Sequence, residues 1–370
     1  METSSGVFSK KDLESLIACE RIKVLKGFSA DHVQSASIDV TTTGEVYRIE
    51  KLLQPSQLAS ETVRSLLKYM HATRVPLGSV MEVGSTYLAK ASVDINFPPG
   101  IYGYLNAKSS SGRNFLFVRS LADEVHMFDS VDQRNRGYSA ELWLVIQPLA
   151  YPIILTDKER YSQLRIFDAD TRFKQKDLNE LLQYYDLLYR RTKEAYKQGE
   201  LSLFTHDGSV LCTLNARPGE LVGYVAKRAA NPLDLSLRNL DPSDYFEQVR
   251  AESFDDGPYD GVVAIQSGRY YLLATNEMIR IPTTYTAELT ALDPRLGFFF
   301  THFAGFFDPG FFGTGTLEVF APHDTVLRHK QPLARFVFER MRSETISYAL
   351  SGNYEGQIET QLPKQFAPWK

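Results

Sequence analysis

The chain has 370 residues, which is long enough for two domains with complete hydrophobic cores. Charged residues make up 23% and the formal net charge is -4, so the composition indicates neither a nucleic-acid-binding nor a membrane-binding surface. The two cysteines exclude a disulfide framework. The N-terminus does not resemble a signal peptide, and no apolar run is of membrane-spanning length. Together these observations predict a cytoplasmic protein.

The first half reads as one helix followed by short strands. Ser9 is a predicted N-cap, and Asp12 lies in the first helical turn. The stretches Gln34–Val40 and Glu45–Ile49 alternate apolar and polar residues, which predicts strands. Between residues 80 and 167, short aromatic-rich strands alternate with Gly and Pro, a pattern typical of a sandwich or barrel.

A long amphipathic stretch divides the chain. From Leu178 to Tyr189, apolar residues recur at helical spacing, with acids early and bases late, as the helix dipole favours. This pattern predicts a helix joining two β-rich domains. The predicted boundaries are residues 1–175 for the N-terminal domain, 176–200 for the connecting helix and 201–370 for the C-terminal domain.

A cluster of phosphate-binding residue types follows the strand-like run at Ile101–Leu105. Lys and Arg neutralise phosphate charge, Ser hydroxyls donate hydrogen bonds to phosphate oxygens, and Gly allows close backbone approach. On composition alone, a polar surface turn remains an equal alternative. The segment reads Lys108, Ser109, Ser110, Ser111, Gly112, Arg113.

The later half repeats landmarks of the first in the same order, which indicates two fused copies of one β-rich domain. The predicted matches are Gly268–Ala274 with Gly84–Ala89, Ile281-Pro282 with Phe97-Pro98, Pro294-Arg295 with Gly112-Arg113, Phe299-Phe300 with Phe117-Val118, Phe307-Asp308 with Phe128-Asp129, and Leu333–Phe338 with Gln163–Phe167.

Three stretches resemble the dCTP deaminases of the dUTPase-like β-clip superfamily: Gln34–Val40, Lys108–Arg113 and Ala304–Glu318. The tandem arrangement resembles the double-length bacterial form of that enzyme. The resemblance implies a mainly β fold, with two tandem dUTPase-like β-clip (distorted jelly-roll) domains joined by a helix. It also implies hydrolytic deamination of dCTP to dUTP and ammonia, and self-association in a trimer-type assembly of domains.

The resemblance also implies roles for individual residues. In that family the Ser-rich loop binds the triphosphate and helps to place the catalytic water, a Glu does the proton transfer, and a mobile tail closes over the nucleotide. The implied catalytic residues are Glu318, Ser109 and Arg113, and the implied substrate-binding residues are Lys108, Ser110, Ser111, Asp308, Ala304, Arg295, Tyr354 and Gln357.

Each copy departs from the family pattern in a different way. The first copy has Val145 where the catalytic Glu is expected, and Glu141 could replace it only if the strand register slipped. In the second copy, Ala291 and Leu292 replace the Ser pair. We therefore expect a composite site that uses the phosphate loop of the first copy and Glu318 of the second.

The expected chemistry uses a carboxylate rather than zinc. The zinc deaminases need a Cys-x-x-Cys pair, and Cys19 and Cys212 are far apart in the sequence. Glu318 would carry the proton, with partial burial raising its pKa, although a solvated edge-strand Glu is the alternative. Mg²⁺ is expected to arrive on the nucleotide triphosphate, since it favours phosphate oxygens and water.

Two other functions remain open from the sequence. The first is a dUTP pyrophosphatase, or a bifunctional deaminase–pyrophosphatase, whose water is held by an Asp at the position of Asp308 or Asp129. The second is a non-catalytic regulator that binds dCTP or dTTP. In each case the expected ligand is a free nucleotide, with no nucleic acid and no membrane as partner.

Overall fold

The computed structural model describes residues 5–56, 60–124, 127–131, 137–197, 207–228, 231–253, 261–292, 300–301, 304–350, 352 and 354–369. The chain divides into two compact units. The first comprises Met1–Asp170, Ala229–Leu240 and Met341–Thr345, and the second comprises Thr171–Arg228, Asp241–Arg340 and Ile346–Lys370.

The helices are short. Helix α1 begins as the sequence predicts, because Asp12 Oδ2 accepts hydrogen bonds from Ser9 N at 3.0 Å and Ser9 Oγ at 2.7 Å. The helices are α1 (Lys10–Ala18), α2 (Val63–Leu66), α3 (Ser109–Arg113) and α4 (Gln175–Tyr184), with 3-10 turns at Ala30–His32, Pro242–Asp244 and Tyr348–Leu350.

The first unit consists mainly of antiparallel strands. Its principal sheets have the strand orders β4-β3-β6-β12-β9 and β10-β8-β14-β2, and β1-β7-β11 and β18-β13-β5 form smaller ones. The strands to β14 are β1 (Ile22–Val24), β2 (Ile38–Val40), β3 (Thr42–Ile49), β4 (Thr73–Val75), β5 (Val80–Met81), β6 (Thr86–Ala91), β7 (Val93–Phe97), β8 (Tyr102–Ala107), β9 (Leu116–Ala122), β10 (Ser130–Val131), β11 (Tyr138–Ala140), β12 (Leu142–Pro148), β13 (Ile153–Ile154) and β14 (Ser162–Phe167).

The second unit repeats this topology. Its principal sheets have the orders β19-β17-β21-β25-β23 and β24-β22-β27-β16, which are the orders of the first unit strand for strand. The later strands are β15 (Leu188–Tyr189), β16 (Val210–Thr213), β17 (Leu221–Ala226), β18 (Leu233–Asp234, in the first unit), β19 (Phe246–Arg250), β20 (Val262–Ile265), β21 (Tyr270–Arg280), β22 (Tyr285–Thr290), β23 (Phe300–Thr301), β24 (Phe306–Phe307), β25 (Phe312–Phe320), β26 (Thr325–Arg328) and β27 (Pro332–Arg340).

Individual hydrogen bonds repeat as well. The hydroxyl of Tyr87 accepts from Glu82 N at 3.1 Å, and the hydroxyl of Tyr271 accepts from Gln266 N at 2.9 Å. The predicted mainly β fold with tandem domains is therefore confirmed, and the repeat extends to individual hydrogen bonds.

The strand register corrects one of the sequence matches. Leu105 N donates to Asp129 O at 2.9 Å, and its counterpart Leu289 N donates to Gly305 O at 2.7 Å. Asp129 thus corresponds to Gly305, and the match of Phe307-Asp308 with Phe128-Asp129 is wrong by three positions. The counterpart of Asp308 is Asp132, which lies outside the described residues. The sequence match failed because a Phe-Asp pair occurs by coincidence three residues too early.

The register also moves the two residues taken as replacements for the Ser pair. Strand β22 ends at Thr290, the counterpart of Asn106 at the penultimate position of β8, so Ala291 and Leu292 occupy the positions of Ala107 and Lys108. The residues that follow, with Pro294 and Arg295, lie outside the described part of the chain.

The predicted connecting helix is too long. Helix α4 ends at Tyr184, and Tyr185 is extended, with φ -135° and ψ 134°. Leu188 and Tyr189 instead form β15, which pairs with Ile279 and Met278 of β21. The apolar side chains that matched a helical pattern are buried by strand pairing, and this tertiary contact overrides the local preference.

Candidate active site

The predicted phosphate loop forms a short helix directly after β8. Lys108 precedes α3, and its backbone N donates to Tyr161 O at 3.0 Å, which fixes the start of the loop against the segment before β14. Ser110, Ser111 and Arg113 are buried, and Ser109 is only partly buried. Of the three consecutive hydroxyls, that of Ser109 belongs to the most accessible residue.

Lys108 is held by a buried carboxylate. Its Nζ lies 2.7 Å from Asp39 Oδ1 and 3.3 Å from Gln163 Oε1, and the Asp39 side chain is 2% exposed. Asp39 lies on β2 and Gln163 on β14, which are paired strands. The sheet therefore brings together a cation and a carboxylate that lie far apart in the sequence.

Two further side chains of the loop contact the segment at Glu159 and Arg160. Ser110 Oγ donates to Glu159 Oε1 at 3.2 Å, and Ser111 Oγ lies 3.5 Å from Arg160 O. Arg113 is 4% exposed. Buried polar groups of this kind hold their conformation because each lost hydrogen bond costs about 1–3 kcal/mol. The loop is thus fixed in place before any ligand binds.

Glu318 lies on β25, an interior strand of the principal sheet of the second unit. Its neighbours Leu317 and Val319 belong to the hydrophobic core of this unit, whereas Glu318 projects from the opposite face of β25. The Glu318 residue is 1% exposed, and its Oε2 accepts a hydrogen bond from Ala304 N at 3.4 Å. The solvated edge-strand alternative is therefore wrong, because β25 is paired on both sides with β21 and β23.

Asp308 begins the turn that leads into β25. Phe311 N donates to Asp308 O at 3.2 Å, and Gly310 has φ +83°. This φ favours Gly, and Pro before Gly is typical of a type II turn. A Cβ at Gly310 would lie 2.1 Å from Ser347 Oγ, so both the backbone conformation and the space require Gly here.

The tail residues pack against the beginning of β25. Gln357 O accepts from Thr314 N at 2.9 Å, and the Gln357 side-chain amide donates to Thr314 O. Tyr354 N lies 3.3 Å from Tyr348 Oη. Gln357 is therefore engaged by the backbone of the strand that carries Glu318, and Tyr354 lies beside the 3-10 turn at Tyr348–Leu350.

The first unit lacks a carboxylate at the position of Glu318. Glu318 pairs with Leu272 of β21, and in the first unit Val145 pairs with Leu88 of β6. Val145 and Leu88 belong to a buried apolar cluster, which we call the Val145 cluster. Its members are Ile49, Val63, Met70, Leu88, Trp143 and Val145.

Glu141 does not replace the missing carboxylate. No register slip occurs, since β12 pairs residue for residue with β6 from Trp143 to Ile146. Glu141 lies before β12 and forms an ion pair with Arg64 at 3.1 Å. Hydrogen bonds to Glu45 are the largest cause of a raised pKa for Arg64, and its bonds to Glu141 contribute further.

The structure thus brings Lys108, Ser109, Ser110, Ser111 and Arg113 together in the first unit. In the second unit it brings Glu318 and Ala304 into contact, with Asp308 and the tail around the same strand. Arg295 lies outside the described residues. Sequence reasoning missed the residues that support the loop, Asp39, Glu159 and Arg160, because nothing local links them to it.

Comparison with known proteins agrees with the arrangement of the two units. A sequence model of the 2'-deoxycytidine 5'-triphosphate deaminase N-terminal domain matches residues 4–170. The model of the C-terminal domain of the same enzyme matches residues 175–366. The chain belongs to the dCTP deaminase family. Its predicted membership is confirmed.

Two relatives of this family support the assignment. The fold matches the crystal structure of 2'-deoxycytidine 5'-triphosphate deaminase from Agrobacterium tumefaciens with a TM-score of 0.82 and 25% identity, over 94% of this chain and 98% of that one. A protein of Methanothermobacter thermautotrophicus named "dCTP deaminase, dUMP-forming" is 33% identical over 107 residues. That alignment covers 28% of this chain and 52% of the relative, so the chain spans about half the length of the curated relative that it matches.

Within the described ranges, no helix is long and apolar enough to cross a membrane. The same part of the chain contains no group of three or more His, Cys, Asp and Glu side chains arranged to hold a metal ion.

Proposed function

We propose that this protein hydrolyses dCTP to dUTP and ammonia, with the Mg²⁺ complex of dCTP as substrate and Glu318 as the general acid and base. The observation that carries the proposal is the buried carboxylate of Glu318, which is 1% exposed and bonded to Ala304 N. Membership of the dCTP deaminase family supports the substrate.

The proposed chemistry requires one proton carrier. Water attacks C4 of cytosine, and Glu318 accepts the proton that the water loses. The same carboxyl delivers this proton to N3, then takes the proton of the new C4 hydroxyl and gives it to the amino group as the C4–N bond breaks, so that ammonia leaves and a C4 carbonyl remains. A side chain removed from bulk water is suited to this exchange because its proton passes only to groups bound beside it. The reaction as proposed needs no zinc.

The phosphate loop of the first unit supplies the other part of the proposal. Lys108 and Arg113 would neutralise the triphosphate, and the partly accessible Ser109 would help to place the attacking water. The proposal assigns both units to one reaction because the first has Val145 at the position of Glu318. Three features remain predictions: the domain boundaries, a trimer-type self-association and a cytoplasmic location. Light scattering of the full chain checks the self-association.

An ammonia-release assay tests the proposed function. The full chain is incubated with dCTP, dCMP, CTP and dUTP in the presence of Mg²⁺, and products are separated by anion exchange. We expect ammonia and intact dUTP from dCTP, with little ammonia from dCMP or CTP. Tight binding of dCTP without ammonia would overturn the proposal in favour of a regulator.

A second candidate is a deaminase that forms dUMP. The relative from Methanothermobacter thermautotrophicus is named for that product, which supports considering it here. The same assay separates the two functions, since a dUMP-forming enzyme releases pyrophosphate together with ammonia. Release of pyrophosphate from dUTP, without release of ammonia from dCTP, would instead indicate a dUTP pyrophosphatase.

A further inference from the structure

One buried carboxylate beside the phosphate loop holds two cations. Asp39 Oδ1 lies 2.7 Å from Lys108 Nζ, and Asp39 Oδ2 lies 3.0 Å from Arg160 Nη1. The two cations therefore bind the two oxygens of a single side chain that is 2% exposed. Asp39 alone balances the charge of only one of these two cations.

A second carboxylate contacts Arg160 from the solvent side. The Asp31 carboxylate bonds to Arg160, and Asp31 O accepts from Arg160 Nη1 at 3.3 Å. The Asp31 side chain is 69% exposed, in contrast to Asp39. A hydrogen bond from Ser29 is the largest cause of a lowered pKa for Asp31, and Arg160 lowers it further, so Asp31 is ionised at neutral pH. Exposed ion pairs of this kind contribute little to stability and exchange partners readily.

Arg160 is also connected to the phosphate loop through its backbone. Glu159 Oε1 accepts from Arg160 N at 3.1 Å and from Ser110 Oγ at 3.2 Å, and Ser111 Oγ lies near Arg160 O. A shift of the loop would therefore shift Arg160 with it. The guanidinium has a geometry that binds two phosphate oxygens at once.

We propose that Arg160 is a second triphosphate-binding residue beside Lys108, and that Asp31 occupies it in the nucleotide-free protein until a phosphate group replaces the Asp31 carboxylate. The inference rests on the proposed function, since it takes the loop at Lys108 as the phosphate site. A phosphate oxygen has the charge and acceptor geometry of the carboxylate that it displaces. Asp39 stays in place and keeps both cations oriented.

The test measures nucleotide binding by full-length variants. Glu318→Gln serves as the background, so that bound dCTP is not consumed, and calorimetry compares dCTP with dCMP. Arg160→Gln should weaken dCTP by about tenfold or more, the effect of losing a charged hydrogen-bond donor, and should change dCMP by less than about twofold. Arg160→Lys should restore part of the loss. Asp31→Asn should tighten dCTP by up to about fivefold, because the competing carboxylate is gone.

A matched pair elsewhere in the unit provides the control. Arg48 and Glu82 form an exposed ion pair at 3.2 Å, and Arg48→Gln should leave the binding of both nucleotides unchanged. Equal weakening of dCTP and dCMP by Arg160→Gln, or unchanged dCTP binding by both Arg160→Gln and Asp31→Asn, would overturn the inference. If the wild-type chain released no ammonia from dCTP, the proposed function would fail instead.

Discussion

Replacing Glu318 by Gln removes a proton-accepting group while preserving the shape of the side chain. We expect turnover of dCTP to fall by about 10²–10⁴-fold, the usual contribution of general acid–base catalysis. Each factor of ten corresponds to about 1.36 kcal/mol in the activation free energy, so the expected loss is about 3–5 kcal/mol. The loss should appear in kcat, because the carboxyl acts on the reacting atoms rather than on the triphosphate.

The same substitution should leave the fold intact. Ala304 N donates to Glu318 Oε2 at 3.4 Å, a long hydrogen bond that the amide oxygen of Gln can also accept. Leu317 and Val319 keep their places in the core, and a neutral amide is less costly to bury than a carboxylate. We therefore expect the free energy of unfolding to change by no more than about 1 kcal/mol.

The assay is ammonia release at saturating dCTP, with calorimetry of dCTP binding on the same preparation. Glu141→Gln is the matched control, since it removes the carboxylate that lies nearest to Val145 along the first copy. Its ion pair with Arg64 is partly exposed, so full turnover is expected. Retention of more than about half of the wild-type rate by Glu318→Gln would refute the assignment of the proton carrier. Loss of turnover in Glu141→Gln would show that the first copy has its own base.

Two further substitutions test the packing around the site. Val145→Glu should destabilise the protein by about 3 kcal/mol or more in urea unfolding, because it buries an unpaired carboxylate in the Val145 cluster, and an unchanged midpoint would contradict this. Gly310→Ala should cost about 1–3 kcal/mol, since φ is +83° and the added Cβ would lie 2.1 Å from Ser347 Oγ. Gly356→Ala is its control, with φ +69° but no atom within 4 Å of the added Cβ, and it should lower the thermal midpoint less. Equal shifts for the two Gly variants would show that contact with Ser347 is unimportant.

The sequence predicted the parts of the site that are local. Lys108 to Arg113 is one continuous segment, so its residue types could be recognised together, and the resemblance to the dCTP deaminases implied Glu318, ten residues after Asp308. The repeat of landmarks was sufficient to predict two copies of one domain. Counting eight residues beyond Gly137, as Glu318 lies eight residues beyond Gly310, also gave Val145 the position that the strand register confirms.

The partners of the loop could not be predicted in this way. Asp39 and Arg160 reach Lys108 only because β2 and β14 are paired and the segment before β14 approaches the loop. No pattern in the sequence states which of the chain's carboxylates is placed against which of its cations. Such contacts are decided by strand pairing, which is non-local.

The same reason explains the helix that the sequence made too long. Leu188 and Tyr189 fit a helical spacing, yet in the fold they form a strand that pairs with Ile279 and Met278 of β21. Apolar residues are buried in either arrangement, so their spacing alone does not decide between them. The choice between helix and strand is made by the neighbouring strand, β21, with which these residues pair.

The Val145 cluster has a consequence for the difference between the two copies. A carboxylate in place of Val145 would put its charge among Trp143, Leu88 and their apolar neighbours, where it could not be solvated. Several residues would have to change together before a carboxylate there became tolerable. The cluster therefore makes the difference between the two copies at this position hard to remove by single substitutions.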